Sequence, residues 1–315
     1  MASHSRDTSL ASVPAMDTQR TARPVEVDDL DALVTLARAA DTALWGRPET
    51  DRAELTEELA SVEDLAAATR LLHDGQGRAL GYALVWGAEC RLVLHPTPEG
   101  MTRETVATEL LGWALGAGAS QLDVAAPDTP LIATAERLHL THRHTSYELL
   151  RSRRTPLRPP PAGVRITDLD GDRDPERVHA MLYAFWAEIP THHARPLAQW
   201  RRLFVDHEPA ARGPQLVAWE DGEVVGAVLT RVYTGTTGWI LQLGVTPSAR
   251  GRGLGAHLLG RAADDLAAVP GVAEVGLSVD ADNRSALTLY HRTGFEVDRA
   301  YLRLVAQPQT ERSSG

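Results

Sequence analysis

The sequence predicts an α/β protein of two tandem domains, on three observations. Its 315 residues are about twice the length of an ordinary domain, and 43% apolar composition is enough for two cores. The run from Arg151 to Gly163 is rich in Pro and Arg and divides the chain into halves of similar size, because consecutive prolines suppress helix and central strand. On either side of it, strand-like and helix-like apolar patterns follow in a similar order.

In the second half, Val164 to Thr167 reads as a strand and Pro175 to Ala187 as a helix, with Val178, Met181, Leu182 and Phe185 on one face. A short helix over Leu197 to Val205 follows. Strands are predicted at Gln215 to Trp219 and Val224 to Val232, joined by a tight turn at Asp221-Gly222, and at Trp239 to Val245. Gly253 to Ala268 is a helix, Val272 to Val279 a strand, Ser285 to Thr293 a helix, and Phe295 to Val305 one or two closing strands. The first half offers helices at Asp28 to Ala40, Arg103 to Ala117 and Pro130 to Leu138, and strands at Ala79 to Trp86, Arg91 to Leu94, Gln121 to Val124 and Ser146 to Leu150. Leu110-Leu111-Gly112-Trp113-Ala114 matches Leu258-Leu259-Gly260-Arg261-Ala262 without a gap, which supports an internal duplication.

Composition narrows the function classes. With 42 acidic and 32 basic residues the formal charge is -10, against a broad nucleic-acid footprint, which needs concentrated Lys and Arg. The single cysteine, Cys90, allows no intrachain disulfide and no Cys-based zinc cluster, and reads as a small buried apolar side chain. No stretch approaches the ~20 apolar residues that cross a bilayer. Residues 1–23 lack an apolar signal core and, with 306–315, read as flexible tails, so a cytoplasmic protein without metal or membrane partner is expected. The arginines of 151–163 read as a solvated linker face.

The most informative segment is Arg250-Gly251-Arg252-Gly253-Leu254-Gly255. A strand ending in Leu241-Gln242-Leu243-Gly244-Val245 precedes it, and a helix with Leu258, Leu259, Ala262 and Leu266 follows. Helix-opening amides are unpaired donors at the positive end of the macrodipole. Glycines remove the β-carbons that would hold a diphosphate away from them, and Arg250 and Arg252 add cationic donors. The segment lacks the Gly-Lys-Ser/Thr ending of a triphosphate loop, and it falls too late in its half for a dinucleotide fingerprint.

Arg250-x-x-Gly253-x-Gly255, followed by Asn283 and Tyr290 within Val279 to Phe295, resembles the GCN5-related N-acetyltransferase superfamily. The resemblance implies two tandem domains of that fold, each a mixed, mostly antiparallel sheet flanked by helices: 24–150 degenerate and 164–305 catalytic, with 151–163 as linker. It implies acetyl-CoA as acyl donor. Its pyrophosphate would rest on the amides of Arg250, Gly251, Arg252, Gly253, Leu254 and Gly255, and its pantetheine along Leu243, Gly244 and Val245, where the strand splays from its neighbour. Asn283 would bond the pantetheine arm or cap the following helix, and Tyr290 would protonate the departing thiolate. An amide of Leu243 or Val245 would polarise the thioester carbonyl.

The acceptor would be the primary amine of a small molecule, attacking directly. Glu188 is the first candidate for general base, ahead of His192 and His193, and Tyr183, Trp186 and Tyr233 are candidates for lining the acceptor site. Acetylation of a protein lysine or N-terminus, and non-catalytic acyl-CoA binding or sensing, are the alternatives; a homodimer is left open. In the first half, Thr102, Thr105 and Ala107 stand where the second has Arg250, Gly253 and Gly255, and Asp128 and Ala135 where it has Asn283 and Tyr290. Glu99 and Glu104 near that helix start would repel a phosphate.

Overall fold

The structure, a computed structural model, describes residues 20–60, 62–186, 195–206, 213–233 and 236–307, without the side chains of 54, 185 and 186. The first half contributes strands β1 (Thr21–Arg23), β2 (Thr69–His73), β3 (Ala79–Trp86), β4 (Glu89–Leu94), β5 (Gln121–Ala125) and β6 (Leu140–Arg151). Its helices are α1 (Leu30–Trp45), α2 (Arg52–Ala60), α3 (Leu65–Ala68), α4 (Arg103–Gly116) and α5 (Thr129–Arg137). The second half contributes β7 (Arg165–Asp168), β8 (Leu216–Glu220), β9 (Glu223–Val232), β10 (Thr237–Val245), β11 (Glu274–Asp280) and β12 (Phe295–Ala306). Its helices are α6 (Pro175–Trp186), α7 (Leu197–Phe204), α8 (Leu254–Ala267) and α9 (Arg284–Arg292).

All of these strands join one sheet in the order β1-β2-β3-β4-β5-β12-β6-β11-β10-β9-β8-β7. The order is a palindrome of the two halves with one exchange at its centre. β6, from the first half, pairs with β11 of the second, and β12, from the second, pairs with β5 of the first. The two exchanged strands also pair with each other from Phe295↔Arg151 to Ala306↔Leu140. Among the described residues, only β4 with β5 and β10 with β11 run parallel. Each half therefore supplies the strand that completes the sheet of the other.

The duplication persists in side-chain detail. β6 and β12 have the same sequence of buried, intermediate and exposed positions, beginning at Leu140 and Phe295. A β-carbon on Gly81 would stand 2.9 Å from Leu110, and one on Gly226 would stand 3.0 Å from Leu258. The same close helix–sheet approach thus recurs, and in both places only glycine admits it without a shift. α4 and α5 pack with Leu122, Leu131 and Leu140, while Leu258, Leu259, Ala262 and Leu266 of α8 pack with Phe295 and Leu277. These helices cover one face of the sheet. α1 and α2 on one side, and α6 and α7 on the other, cover the outer strands of the opposite face through Leu33, Tyr82, Val178 and Trp200.

The Arg/Pro-rich segment is held against the protein. The Arg151 side chain is 7% exposed and donates to Asp264 at 2.8 Å, and Arg154 reaches the same carboxylate at 3.0 Å. Leu157 meets α8 at Gly260, the carbonyl of Arg158 accepts from His257 Nδ1 at 2.6 Å, and the carbonyl of Ala162 accepts from Arg252 at 3.2 Å. The solvated face read from sequence is corrected here: the segment rides along α8 from its C-terminal part to its tip. Burial raises the Asp264 pKa, and the two guanidinium hydrogen bonds more than offset it, so the carboxylate stays ionised below its usual range.

Most predicted elements agree with the structure to within a few residues. β1, β2, α2 and α3 were not predicted, and β6 extends well before Ser146 because Thr141-His142-Arg143 is exposed and lacks an apolar alternation. Cys90 is buried in β4, and burial pushes its thiol up to about 12, consistent with a packing role. No helix of the described residues is long and apolar enough to cross a membrane.

Candidate active site

The glycine-rich segment lies at the tip of α8. Gly251 and Gly253 have φ of 73° and 89°, the left-handed region that glycine enters without steric cost. Gly253 is the N-cap and offers no side chain to close the helix. The first regular backbone bond is His257 N–H to Gly253 O at 3.0 Å. Among the described residues, none of the amides from Gly251 to Ala256 makes a backbone hydrogen bond of normal geometry. They remain as donors at the positive end of a helix of 14 residues.

A strand wedge opens beside this tip. β10 and β11 pair from Thr237↔Glu274 to Ile240↔Leu277 and then part, β10 staying with β9 through a bulge at Leu241 and β11 continuing against β6. Thr246 N–H bonds back to β9 at Val225 O. By the alternation of an antiparallel ladder, the peptide groups of Leu243 and Val245 therefore face the wedge. A cleft of about 1970 Å³ joins wedge and helix tip, and its lining includes Leu243 to Val245, Arg250 to Gly255, Asn283 and Tyr290. The structure thus brings together every described residue expected at the donor site.

Local chemistry differs among them. Arg250 Nε donates to Val245 O at 3.1 Å, which ties the loop to the strand end. Arg252 is engaged by Glu220 at 2.8 and 2.9 Å, so its guanidinium is already neutralised while its amide stays among the donors of the helix tip. Asn283 caps α9, its Oδ1 accepting from Ala286 N at 3.1 Å and from the Ser285 hydroxyl at 3.0 Å. Tyr290 packs near Phe295, ring centroids 6.4 Å apart, and burial pushes its phenol up to about 12. Gly255 has no packing reason to be glycine: a β-carbon there would meet Leu289 at 3.5 Å and Val245 at 3.6 Å, ordinary contacts.

Sequence reasoning missed one feature of the cleft, the wall formed by Thr155 to Pro159 of the connecting segment, anchored through His257; its prolines signalled extended chain but not where that chain lies. Gln242, buried beyond the bulge, accepts from Trp200 Nε1 at 2.9 Å and ties β10 to α7. Of the acceptor-side candidates, Tyr183 is buried in α6 with its ring 4.4 Å from His179, and Tyr233 lies under the Arg231 guanidinium at 4.9 Å. Trp186 ends α6. Glu188, His192 and His193 lie outside the described residues.

At the matching helix tip of the first half, the donors are used internally. Thr102 caps α4, accepting from Thr105 N at 3.2 Å, and its carbonyl accepts from Val106 N at 3.2 Å. Arg103 makes a two-pronged pair with Asp128 at 2.5 and 2.5 Å, joining the starts of α4 and α5. Asp128 is buried and caps α5 as Asn283 caps α9, accepting from Leu131 N at 3.2 Å. Asp128 thus pairs with the cation at the start of α4 while capping α5.

Comparison with known proteins agrees with this geometry. The acetyltransferase (GNAT) family model matches residues 176–295. Among curated relatives, the mycothiol acetyltransferase of Frankia casuarinae is 30% identical over 284 residues, covering 84% of this chain and 80% of the relative. That of Mycolicibacterium gilvum is 31% identical over 289 residues, covering 84% and 89%. Of solved structures, a GCN5-related N-acetyltransferase from Sphaerobacter thermophilus superposes with a TM-score of 0.77 at 23% identity, over 90% of this chain and 94% of that one. A tandem GNAT protein from the clavulanic acid biosynthesis pathway gives 0.71 at 17% identity, over 92% and 99%, so the fold is shared along both halves. The chain belongs to the GCN5-related N-acetyltransferase (GNAT) family and is an N-acetyltransferase.

Proposed function

We propose that the chain transfers an acetyl group from acetyl-CoA to a primary amine of a small molecule, with one donor site, in the second half. The observation that carries this is the open tip of α8 beside the β10/β11 wedge, where uncapped amides and an unneeded glycine at 255 leave room and donors for a diphosphate. Acetyl-CoA supplies the activated thioester carbonyl when bound. The amides of Gly251 to Ala256 would hold its diphosphate, the wedge-facing peptides of Leu243 and Val245 its pantetheine and carbonyl oxygen, and the amide nitrogen of Asn283 its arm.

Tyr290 keeps its proton through neutral pH, since burial places its phenol at about 12. The same burial raises the pKa of a departing thiol, so we propose that the phenol donates its proton to the sulfur as charge builds there. On the acceptor side an alkyl ammonium of pKa ~10.4 is neutral in only about one molecule in 1,000 at pH 7.4, so a carboxylate or histidine must help remove its proton. Glu188 remains our proposed base.

The relatives named as mycothiol acetyltransferases support a small-molecule acceptor over a protein. The first half we read as degenerate, on the Thr102 cap and the Arg103–Asp128 pair. The reading is tested by coenzyme A thiol release with a panel of small primary amines and with lysine peptides. Release above hydrolysis is expected with one or more small amines. Release with peptides alone would move the acceptor to proteins, and binding of acetyl-CoA without release would favour a sensing role.

A further inference from the structure

The cleft beside α8 is lined by the arginines 158, 177, 250, 252 and 292. Three of them are committed within the chain. Arg177 donates to Gly222 O at 2.6 Å and meets Glu223 at 3.3 Å, Arg250 donates to Val245 O, and Arg252 is paired with Glu220. Among the described residues, the guanidiniums of Arg158 and Arg292 have no hydrogen-bond or ion-pair partner, and both residues are exposed. The one acid among the described lining residues is Glu223, already held by Arg177. Two unpaired cations therefore face a cleft that offers them no carboxylate.

The connecting segment brings the two together. Thr155 Oγ1 donates to Thr293 O at 3.4 Å, next to Arg292, and the Arg158 carbonyl accepts from His257 Nδ1 one turn into α8. The three residues from Thr155 to Arg158 span at most about 11 Å. Arg158 is thus held between the end of α9 and the start of α8.

The first half shows how far an arginine at the end of this helix reaches. α5 and α9 each have nine residues, capped by Asp128 and Asn283, so Arg137 corresponds to Arg292. Arg137 extends to the start of α4 and pairs there with Glu104 at 2.8 Å. In the second half the position of Glu104 is taken by Arg252, which is engaged by Glu220. Arg292 has the same reach toward the tip of α8 and no carboxylate waiting for it.

The amides of Gly251 to Ala256 are donors enough for a diphosphate, and they leave both guanidiniums for another anion. A phosphate monoester carries a charge of about -1.5 to -2 at neutral pH and presents oxygens that match the arginine fork. Coenzyme A bears such a group on the 3′ oxygen of its ribose. Only the short C5′–C4′–C3′ span of the sugar separates it from the diphosphate.

We propose that Arg158, from the connecting segment, and Arg292, from the end of α9, together bind the 3′-phosphate of the coenzyme A donor, so that the chain discriminates coenzyme A from its 3′-dephospho form. The inference rests on the acetyl-CoA reading above and extends the donor site beyond the helix tip and the strand wedge. It also gives the segment between the halves a part in ligand selection, since Arg158 has no counterpart in the first half.

The test is calorimetric titration with coenzyme A and with 3′-dephospho-coenzyme A of the full chain, Arg158→Gln, Arg292→Gln and the double variant, beside melting temperatures. The unaltered chain is expected to bind coenzyme A at least tenfold more tightly than the dephospho form. Each single variant should lower that ratio, and the double variant should bring it to within about twofold, with affinity for the dephospho form and melting temperature held. Equal affinity of the unaltered chain for both ligands overturns the proposal and leaves the acetyl-CoA reading standing. A ratio that survives in the double variant overturns the assignment to these residues. Equal loss of affinity for both ligands, or a lowered melting temperature, marks the arginines as structural and overturns it too. If the unaltered chain binds neither ligand, the acetyl-CoA reading falls and this proposal with it.

Discussion

Tyr290→Phe should lower kcat by about two to three orders of magnitude and leave acetyl-CoA affinity within about twofold. The substitution removes one hydroxyl from a ring packed near Phe295 in a cleft that also holds the wedge residues. The apolar contacts of the ring survive, so neither α9 nor its Asn283 cap is disturbed. In the role proposed for it, Tyr290 loses a neutral donor to the developing thiolate, and such a donor matters only as charge builds on sulfur. Stopped assays of thiol release at saturating acetyl-CoA, beside calorimetric titration, separate the two quantities. A kcat unchanged within twofold would remove Tyr290 from the mechanism, and equal losses in kcat and affinity would make it a packing residue.

Gly255→Asp should move stability and binding in opposite directions. The new β-carbon meets only ordinary contacts at 3.5 and 3.6 Å. The new carboxylate sits in the first turn of α8, where the macrodipole favours it by about 0.3–1 kcal/mol. The melting temperature should therefore hold or rise slightly. The same charge placed about 4 Å from a phosphate costs roughly 4 kcal/mol at an effective dielectric of about 20, or close to three orders of magnitude in acetyl-CoA affinity. A variant that unfolds would show that Gly255 serves packing, and one that binds acetyl-CoA normally would show that the tip of α8 is not the cradle.

The candidate donor site was legible because its chemistry is local. Gly251, Gly253 and Gly255 fall at the start of a helix with a clean apolar stripe, and both the strand before it and the Asn283 helix start fall within short, regular patterns. The same locality explains why the loss of the pattern at Thr102, Thr105 and Ala107 could be read, and why Asp128 aligned with Asn283: both are helix caps. Strand pairing is not local. Apolar alternation identifies β6 and β12 as strands and says nothing of their neighbours, so the exchange that sets Glu148 against Ser278 was invisible. Leu140 to Thr145 hid for a related reason, since Thr141, His142 and Arg143 are exposed and carry no alternation. The connecting segment misled because arginine in a proline-rich run usually faces water; here Arg151 pairs with Asp264 and the run becomes a wall of the cleft.

The exchange also changes what a tandem arrangement means in this chain. Neither half closes its sheet alone, since β12 stands between β5 and β6, and β6 between β12 and β11. A half whose helix tip carries internal pairs, Thr102 with Thr105 and Arg103 with Asp128, can still be required because it supplies a central strand to the other.

We propose one donor site per chain, at the tip of α8. Calorimetric titration of the full chain with acetyl-CoA, repeated on Gly255→Asp, tests it most directly. One equivalent bound by the unaltered chain, and none measurable over the same range by Gly255→Asp, is the expected result. Two equivalents, or one equivalent that survives the substitution, would contradict it.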